Sequence, residues 1–418
     1  MKPFRTLRSG EVIALLFAAT TINYIDRQTL SVLAPLLQKE LHFTSLEYSY
    51  AVNSFLAVYA VMYLLMGRVL DQLGTRRGLG MAVILWSVAE ILHGSVVGIK
   101  TLCLYRAMLA VGEAAIIPGG VKAVAEWFSS KQRGVAIGTF EMGLSIGPLI
   151  APPLVVWIAL HYTWREAFVW TGVLGLLWAI PWLLFYRIPE VAIPAGESGV
   201  QPRAVVRPLG WVEVFTSNKT WAVGLARFFS DPIWYFYIFW LPKYMADEKG
   251  LSIKLIGELA WIPYLASLLG GMSGGLASSW LVKRGSPPLI ARQKIMLVAT
   301  IMVAFGVFSI YLRSITWVMI VISVGAFALQ FWGSNLDTIP TDLFPPEQVA
   351  QATGFGGLMG ALGGIVFTAG TGYLVSHFSY TPVWIASGLT YPIGLLILFL
   401  LLRSDSRTTP QTAPSVIQ

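Results

Sequence analysis

Gly67-Arg68-Val69-Leu70-Asp71-Gln72-Leu73-Gly74-Thr75-Arg76-Arg77 is a short basic stretch set between two long apolar runs. About half the chain further on, Gly274-Gly275-Leu276-Ala277-Ser278-Ser279-Trp280-Leu281-Val282-Lys283-Arg284-Gly285 repeats its outline, with Ser279 where the first copy has Asp71. Small residues repeat too. Gly143, Gly147 and Ala151 in one apolar run, and Gly356, Gly360 and Gly364 in another, stand four apart, the spacing that lets helices approach closely. A basic turn repeated in each half reads as an internally duplicated membrane protein, an architecture that places a solute site near the midplane between its halves.

Composition agrees. The 418 residues are 56% hydrophobic and only 12% charged, and the mean hydropathy is +0.68. A soluble domain carries about 25% charged residues, so this chain needs lipid as solvent. A hydrocarbon core of about 30 Å takes about 20 apolar residues per helix. Twelve segments qualify: 11–37, 47–70, 78–98, 100–126, 133–158, 164–186, 219–245, 252–281, 293–312, 315–342, 348–376 and 380–403. The expected fold is all-α, twelve transmembrane helices in two pseudo-symmetric six-helix halves, residues 1–188 and 219–418. Residues 189–218, with Pro189, Pro194, Pro202 and Pro208, have linker composition.

Lys and Arg set the orientation. With both termini in the cytoplasm of a cell (inner) membrane, the inside holds Arg68, Arg76, Arg77, Lys131, Arg133, Lys283, Arg284, Arg292 and Lys294, besides the basic termini and linker. The outside holds only Lys39, Lys100, Arg165, Lys243, Lys249, Lys254 and Arg313. The net charge of +8 is thus read as loops on an anionic bilayer and not as a nucleic-acid surface. Lys2, Arg5 and Arg8 before an apolar run mimic a secretory signal, but the run is too long and carries Asp26 and Arg27. One cysteine and four scattered histidines leave no metal or disulfide set. No cofactor motif and no Ser/His/Asp constellation appears, so an enzyme is not expected.

Charges inside apolar segments carry the chemistry. Each costs about 2.5–3.5 kcal/mol at the bilayer centre on insertion scales, so such residues pair or face a water-filled cavity. Asp26 and Arg27 lie in the first segment, Arg106 and Glu113 in the fourth. Arg27 is expected to bind a substrate carboxylate, because its planar guanidinium offers two parallel hydrogen bonds; the alternative is a neutralising pair that only locks helices. Arg106 and Glu113 are seven apart, about two turns on one face. Each needs a partner elsewhere, Glu113 with Arg27 or Arg106 with Asp26. Low dielectric favours a protonated carboxyl and a nearby guanidinium favours the ionised one. A substrate carboxylate that takes the arginine therefore frees an acid to bind a proton, the coupling expected of Asp26 and Glu113.

The pattern Gly67-x-x-x-Asp71-x-x-Gly74-x-Arg76-Arg77 resembles the signature of the major facilitator superfamily. Asn23-Tyr24-Ile25-Asp26-Arg27, Arg106 with Gly112-Glu113-Ala114, Glu126-Trp127-Phe128, Ile150-Ala151-Pro152-Pro153-Leu154 and Ala226-Arg227-Phe228 with Asp231-Pro232 resemble its anion:cation symporter branch, and most nearly the bacterial hexuronate transporters. The likeness spans essentially the whole chain. It implies import of an organic anion, a hexuronate or related sugar acid, with protons, by alternating access and as a monomer. The cluster Gly67, Asp71, Gly74, Arg76 and Arg77 is read as a cytoplasmic gate, with Asp71 capping a neighbouring helix and drawing arginines across the halves; the alternative is that Arg76 and Arg77 only anchor the loop inside. Ser279 departs from the pattern, as does Glu141, which is either a second proton site or a pair for an arginine.

Tyr24, three residues before Arg27, and by resemblance Tyr59, are expected to line the cavity, or else to pack. Pro232 is expected to break the seventh helix; of the aromatics after it, Trp234 and Tyr237 are assigned to the cavity and others to an interfacial belt. Gln330 and Asn335 are assigned to cargo hydroxyls, with helix–helix bonding as the alternative. Arg227 and Asp231, four apart, either pair along their helix or meet substrate. Lys122 and Glu126 are expected to snorkel, and Glu90 and His93 to form a surface-facing polar spot. Gly147-Pro148 keeps open a proton-coupled antiporter exporting amphipathic compounds, though Arg27 and Arg106 favour anions.

Overall fold

A computed structural model describes residues 7–128, 130–187 and 211–408. The described residues form helices and turns without a strand. In the N-terminal half these are α1 (Ser9–Leu41), α2 (Ser45–His93), α3 (Ile99–Glu113), α4 (Ile116–Trp127), α5 (Ser130–Glu141), α6 (Gly143–His161) and α7 (Trp164–Phe185). After the linker come α8 (Trp211–Thr216), α9 (Asn218–Phe239), α10 (Leu241–Asp247), α11 (Ile253–Leu259), α12 (Trp261–Lys283) and α13 (Pro288–Phe305). The last four are α14 (Ile315–Leu336), α15 (Ile339–Leu343), α16 (Pro346–His377) and α17 (Thr381–Thr408). Most of the expected linker, residues 188–210, lies outside the described residues, as do Lys2 and Arg5.

Among the described residues, eight helical stretches are long and apolar enough to cross a bilayer, and a bent pair, Ser45–Tyr63 with Leu65–His93, passes the same test jointly. Helices α1 and α9 match them in length, at 33 and 22 residues, but α1 carries the buried Asp26 and Arg27 and α9 the half-buried Arg227 and Asp231. The helices fall on the twelve expected segments, some of them broken by a turn. Their outward faces are apolar: Trp317, Ile301, Leu396, Phe399 and Leu400 are all exposed. The chain is an all-α, multi-pass membrane protein.

Gly74 makes the first hairpin. Its φ of 73° and ψ of 157° are the only non-helical angles inside α2, and a positive φ is open to glycine at little cost. Beyond it the chain folds back so far that a Cβ on Gly78 would lie 3.5 Å from the Leu70 Cα. A straight helix would hold residues eight apart about 12 Å from each other.

The four-residue glycine series pack two helix pairs that correspond between the halves. On α6, a Cβ at Gly143 would lie 2.8 Å from the Thr20 Cβ of α1, and one at Gly147 would lie 2.5 Å from the Tyr24 Cβ. On α16, Gly356, Gly360 and Gly364 abut Arg227, Asp231 and Tyr235 of α9 in turn. Pro232 does not break α9, contrary to expectation; the helix continues to Phe239. Proline deprives the Phe228 carbonyl of its usual donor, and Gly363 of α16 lies directly against that carbonyl and the proline ring, a closeness that supports a weak Cα–H···O contact. Gly147→Ala is expected to destabilise the protein by about 1–3 kcal/mol through overpacking. Gly138→Ala, where an added Cβ meets nothing within 4 Å, should be neutral or slightly stabilising. Thermal unfolding in detergent compares the two.

The halves meet at the end of the molecule where α1 finishes. The Tyr48 hydroxyl donates to the Phe239 carbonyl at 2.6 Å, Lys243 donates to Gln38, Ser49 lies against Gly372, and Val156 against Gly257. At the same end Glu40 accepts from the Trp164 indole at 2.5 Å and from Arg165 at 2.6 Å. The indole first, and then the guanidinium, hold that carboxyl below its ordinary range.

Candidate functional site

Helix α1 carries adjacent charges that point apart, because successive side chains on a helix are about 100° apart. Arg27 turns to α3, where its Nη2 and Nε donate to one Glu113 oxygen at 2.8 and 3.1 Å. Its guanidinium also lies 4.6, 4.9 and 4.8 Å from the ring centres of Tyr24, Phe55 and Tyr59. Three rings around a desolvated cation hold it by their negative faces, each worth about 0.5–2 kcal/mol. Arg27 is 4% exposed and Glu113 is fully buried, so neither charge is compensated by bulk water. Tyr24 and Tyr59 are only half-buried. The second Glu113 oxygen has no protein hydrogen bond.

Asp26 points the other way, into the N-terminal half. It is fully buried and neither oxygen has a hydrogen-bond partner among the described residues. Within electrostatic range lie Glu113, Arg106 and the Thr171 hydroxyl. Arg106 is also fully buried, its guanidinium 4.6 Å from the Phe55 ring centre and 5.9 Å from that of Phe239, and its three nitrogens make no hydrogen bond among the described residues. A guanidinium has five donors, so Arg106 is a cation with its hydrogen-bonding capacity unspent. Phe55 lies beneath both arginines.

The C-terminal half closes this site through one face of α9. Arg227, Asp231, Tyr235 and Phe239 recur every four residues and form a single stripe. Phe239 meets Phe55 at 6.2 Å and Tyr235 at 6.2 Å. Tyr235 is within electrostatic range of Tyr59, Tyr24 and Arg27. Arg227 bonds Asp231 at 3.3 Å and also Asp337. Glu141, at the break between α5 and α6, comes within electrostatic range of Asp337.

Several expectations change. Tyr237 does not face the cavity; it is buried inside the C-terminal half, its hydroxyl 3.4 Å from the Ile322 carbonyl of α14. Two residues along a helix turn a side chain by about 200°, so Tyr235 takes the place assigned to it. Trp234 is half-buried against the apolar core. Asn335 is fully buried and donates to the Gly274 carbonyl at 3.2 Å and the Phe331 carbonyl at 2.9 Å, joining α14 to α12. Gln330 is half-buried on the same α12-facing side, beside Gly271. Lys122 donates to the exposed Asp71 at 2.6 Å and to the Leu70 carbonyl at 3.0 Å. Glu126 accepts from Thr75 and Tyr186, each at 2.7 Å. Asp71 thus meets a lysine of its own half. Arg76 donates to the Leu183 carbonyl and Arg77 is exposed. Glu90 and His93 are fully buried, not a surface spot, because α7 packs over them.

Phe55, Tyr235 and Phe239 were not singled out from sequence. The signal for two of them was the four-residue stripe on α9, which runs through Pro232.

A family model described as Major Facilitator Superfamily matches residues 16–368 and 292–417. The chain is 31% identical to the hexuronate transporter of Escherichia coli (strain K12), over 94% of each chain. It is 34% identical to the galacturonate transporter of Dickeya chrysanthemi, over 71% of this chain and 88% of that one. The fold is shared with a D-xylose-proton symporter at a TM-score of 0.74 and 16% identity, covering 94% of this chain and 98% of the other. The family model spans nearly the whole chain, hairpin and glycine-packed helix pairs included, and with relatives matched over nearly their full length the protein belongs to the Major Facilitator Superfamily, a family of membrane transporters and not of enzymes.

Proposed function

We propose that the protein imports a hexuronate or related sugar acid by proton symport, through alternating access. The halves, residues 1–188 and 219–418, move about the midplane site as a monomer in the inner membrane, with the linker 189–218 and both termini cytoplasmic. The gate is the Gly67–Arg77 turn, whose Asp71–Lys122 contact ties α2 to α4 within the first half.

The observation that carries this reading is the buried Arg27–Glu113 pair inside the Tyr24–Phe55–Tyr59 aromatic box. Arg27 is permanently charged. A bare carboxylate entering the box competes with Glu113 for the same two donors. The displaced Glu113, left in low dielectric without its cation, binds a proton. Arg106, with unspent donors, is the second cation for the anion, and Asp26 beside it is the second exchangeable acid. The half-buried tyrosines offer ring faces and hydroxyls to the pyranose. The names of the relatives support the cargo class.

The test is counterflow in proteoliposomes against D-glucuronate, D-galacturonate, an aldonate, an aldarate and a neutral hexose at two pH values. Uronates should exchange fastest, and the hexose not at all. Exchange of the hexose at the uronate rate would end the anion reading.

A further inference from the structure

Glu90 is a buried carboxyl that the exchange at Glu113 does not use. It sits on the second limb of α2, fully buried, with one oxygen 3.3 Å from the Thr171 hydroxyl of α7 and the other without a hydrogen-bond partner. His93, one turn on, offers no counter-charge. Its Nδ1 lies 2.8 Å from the Ala89 carbonyl, so that nitrogen carries the hydrogen; Nε2 has no partner, and the ring stacks on Phe168 at 5.2 Å. A buried imidazole with one bonded N–H and one bare nitrogen is neutral.

Among the described residues, the titratable and charged groups facing Glu90 come from three elements: Asp26 on α1, His93 on α2 with its Nδ1 at 3.7 Å, and Arg106 and Glu113 on α3. Glu113 already balances Arg27. Among the described residues facing the two acids, Arg106 alone remains to balance Asp26 and Glu90. A second uncompensated carboxylate in a dry interior takes a proton, so one of these two acids stays neutral. Asp26 has the stronger claim to the charge, since the Thr171 hydroxyl and the Trp86 indole both face it, whereas Glu90 has the Thr171 hydroxyl alone. Thr171 stands between the two acids. Its oxygen bonds Glu90 and faces Asp26, and it also lies 3.1 Å from the Ala167 carbonyl of its own helix.

We propose that Glu90 stays protonated through the transport cycle and acts as a positioning residue that sets the proton affinity of Asp26 through Thr171. The neutral acid donates its hydrogen to Thr171 Oγ1, and the threonine turns its own hydrogen to the Asp26 carboxylate. When Asp26 takes a proton, the threonine swings its hydrogen back to the Ala167 carbonyl. Apart from the O–H bond that Asp26 gains with its proton, no covalent bond forms or breaks; one hydroxyl rotates. This inference rests on the proton-symport reading and adds to it a group that tunes the coupling without carrying the transported proton.

The sign follows. Removing the donor chain destabilises ionised Asp26, so Asp26 binds its proton at higher pH. Uptake of labelled D-glucuronate into proteoliposomes is measured against outside pH for the wild type, Glu90→Leu, Thr171→Val and Glu90→Gln, with counterflow as the check on folding. Glu90→Leu and Thr171→Val should each move the midpoint upward by about one pH unit, with counterflow within a few-fold of wild type. Glu90→Gln, whose amide still donates, should keep the wild-type midpoint. If Glu90→Leu does not fold, Thr171→Val decides the matter alone. A midpoint left in place by both apolar variants overturns this inference and leaves proton symport standing. So does a Glu90→Gln variant that loses gradient-driven accumulation, because Glu90 would then carry the proton itself. Wild-type uptake that ignores pH overturns the symport reading and this inference with it.

Discussion

Arg27→Lys is expected to lower D-glucuronate uptake and counterflow together, by roughly two orders of magnitude, with the protein still folded. Truncating one partner of a buried, hydrogen-bonded charge pair costs about 2–5 kcal/mol, and a factor of ten is about 1.4 kcal/mol. Lysine keeps the charge but loses the planar fork that presents two donors to one carboxylate. It also loses flat contact with Tyr24, Phe55 and Tyr59, which flank the guanidinium at 4.6–4.9 Å. Exchange and net uptake should fall in parallel, because both need the anion bound. Counterflow and thermal unfolding of the same preparation separate lost binding from lost fold. Near-normal counterflow by a folded Arg27→Lys protein would remove Arg27 from the substrate site.

Glu113→Gln should divide those two activities. The amide cannot carry a proton between states, yet it fills the same space and its carbonyl oxygen still accepts from Arg27. Counterflow should therefore persist within about tenfold of wild type, while accumulation driven by a pH gradient disappears. At 100 mV, inside negative, importing one negative charge costs about 2.3 kcal/mol. One accompanying proton cancels that cost and adds about 1.4 kcal/mol per unit of pH gradient. Without the proton, the same voltage drives the anion outward. Uphill uptake by Glu113→Gln, at wild-type level, would place the coupling elsewhere.

The fold was legible where its physics is local. A basic turn between apolar runs, repeated half a chain later, identifies helical hairpins. A positive-φ glycine, Gly74, sits where the turn demands one. The glycine series were legible as close-packing stripes, and they press on α1, which carries the buried Asp26 and Arg27, and on α9, which carries Arg227 and Asp231. The intramembrane residues Asp26, Arg27, Arg106 and Glu113 stood out for a related reason: lipid makes an idle charge costly.

What escaped was set by the neighbour across the packing. Tyr237 was assigned to the cavity and Pro232 was expected to break the helix; α9 runs on through it, and the face starting at Arg227 continues through Tyr235 to Phe239. Glu90 and His93 sit near the end of a segment, where a polar pair ordinarily meets water, and only the position of α7 shows that they are covered. The partner of Lys122, Asp71, lies in another element, and only the packing shows it. Asn335 was placed among the sugar-binding residues, and its amide instead bridges α14 to α12.

The most direct measurement records proton uptake when substrate binds. Purified protein in weakly buffered detergent solution at neutral pH, with a pH-indicator dye, is mixed with D-glucuronate. If the carboxylate takes Arg27 from Glu113, the solution turns alkaline by about one proton per bound anion, and the change vanishes in a Glu113→Gln protein that still binds. Binding by the wild type with no proton taken up would contradict the exchange of one carboxylate for another at Arg27.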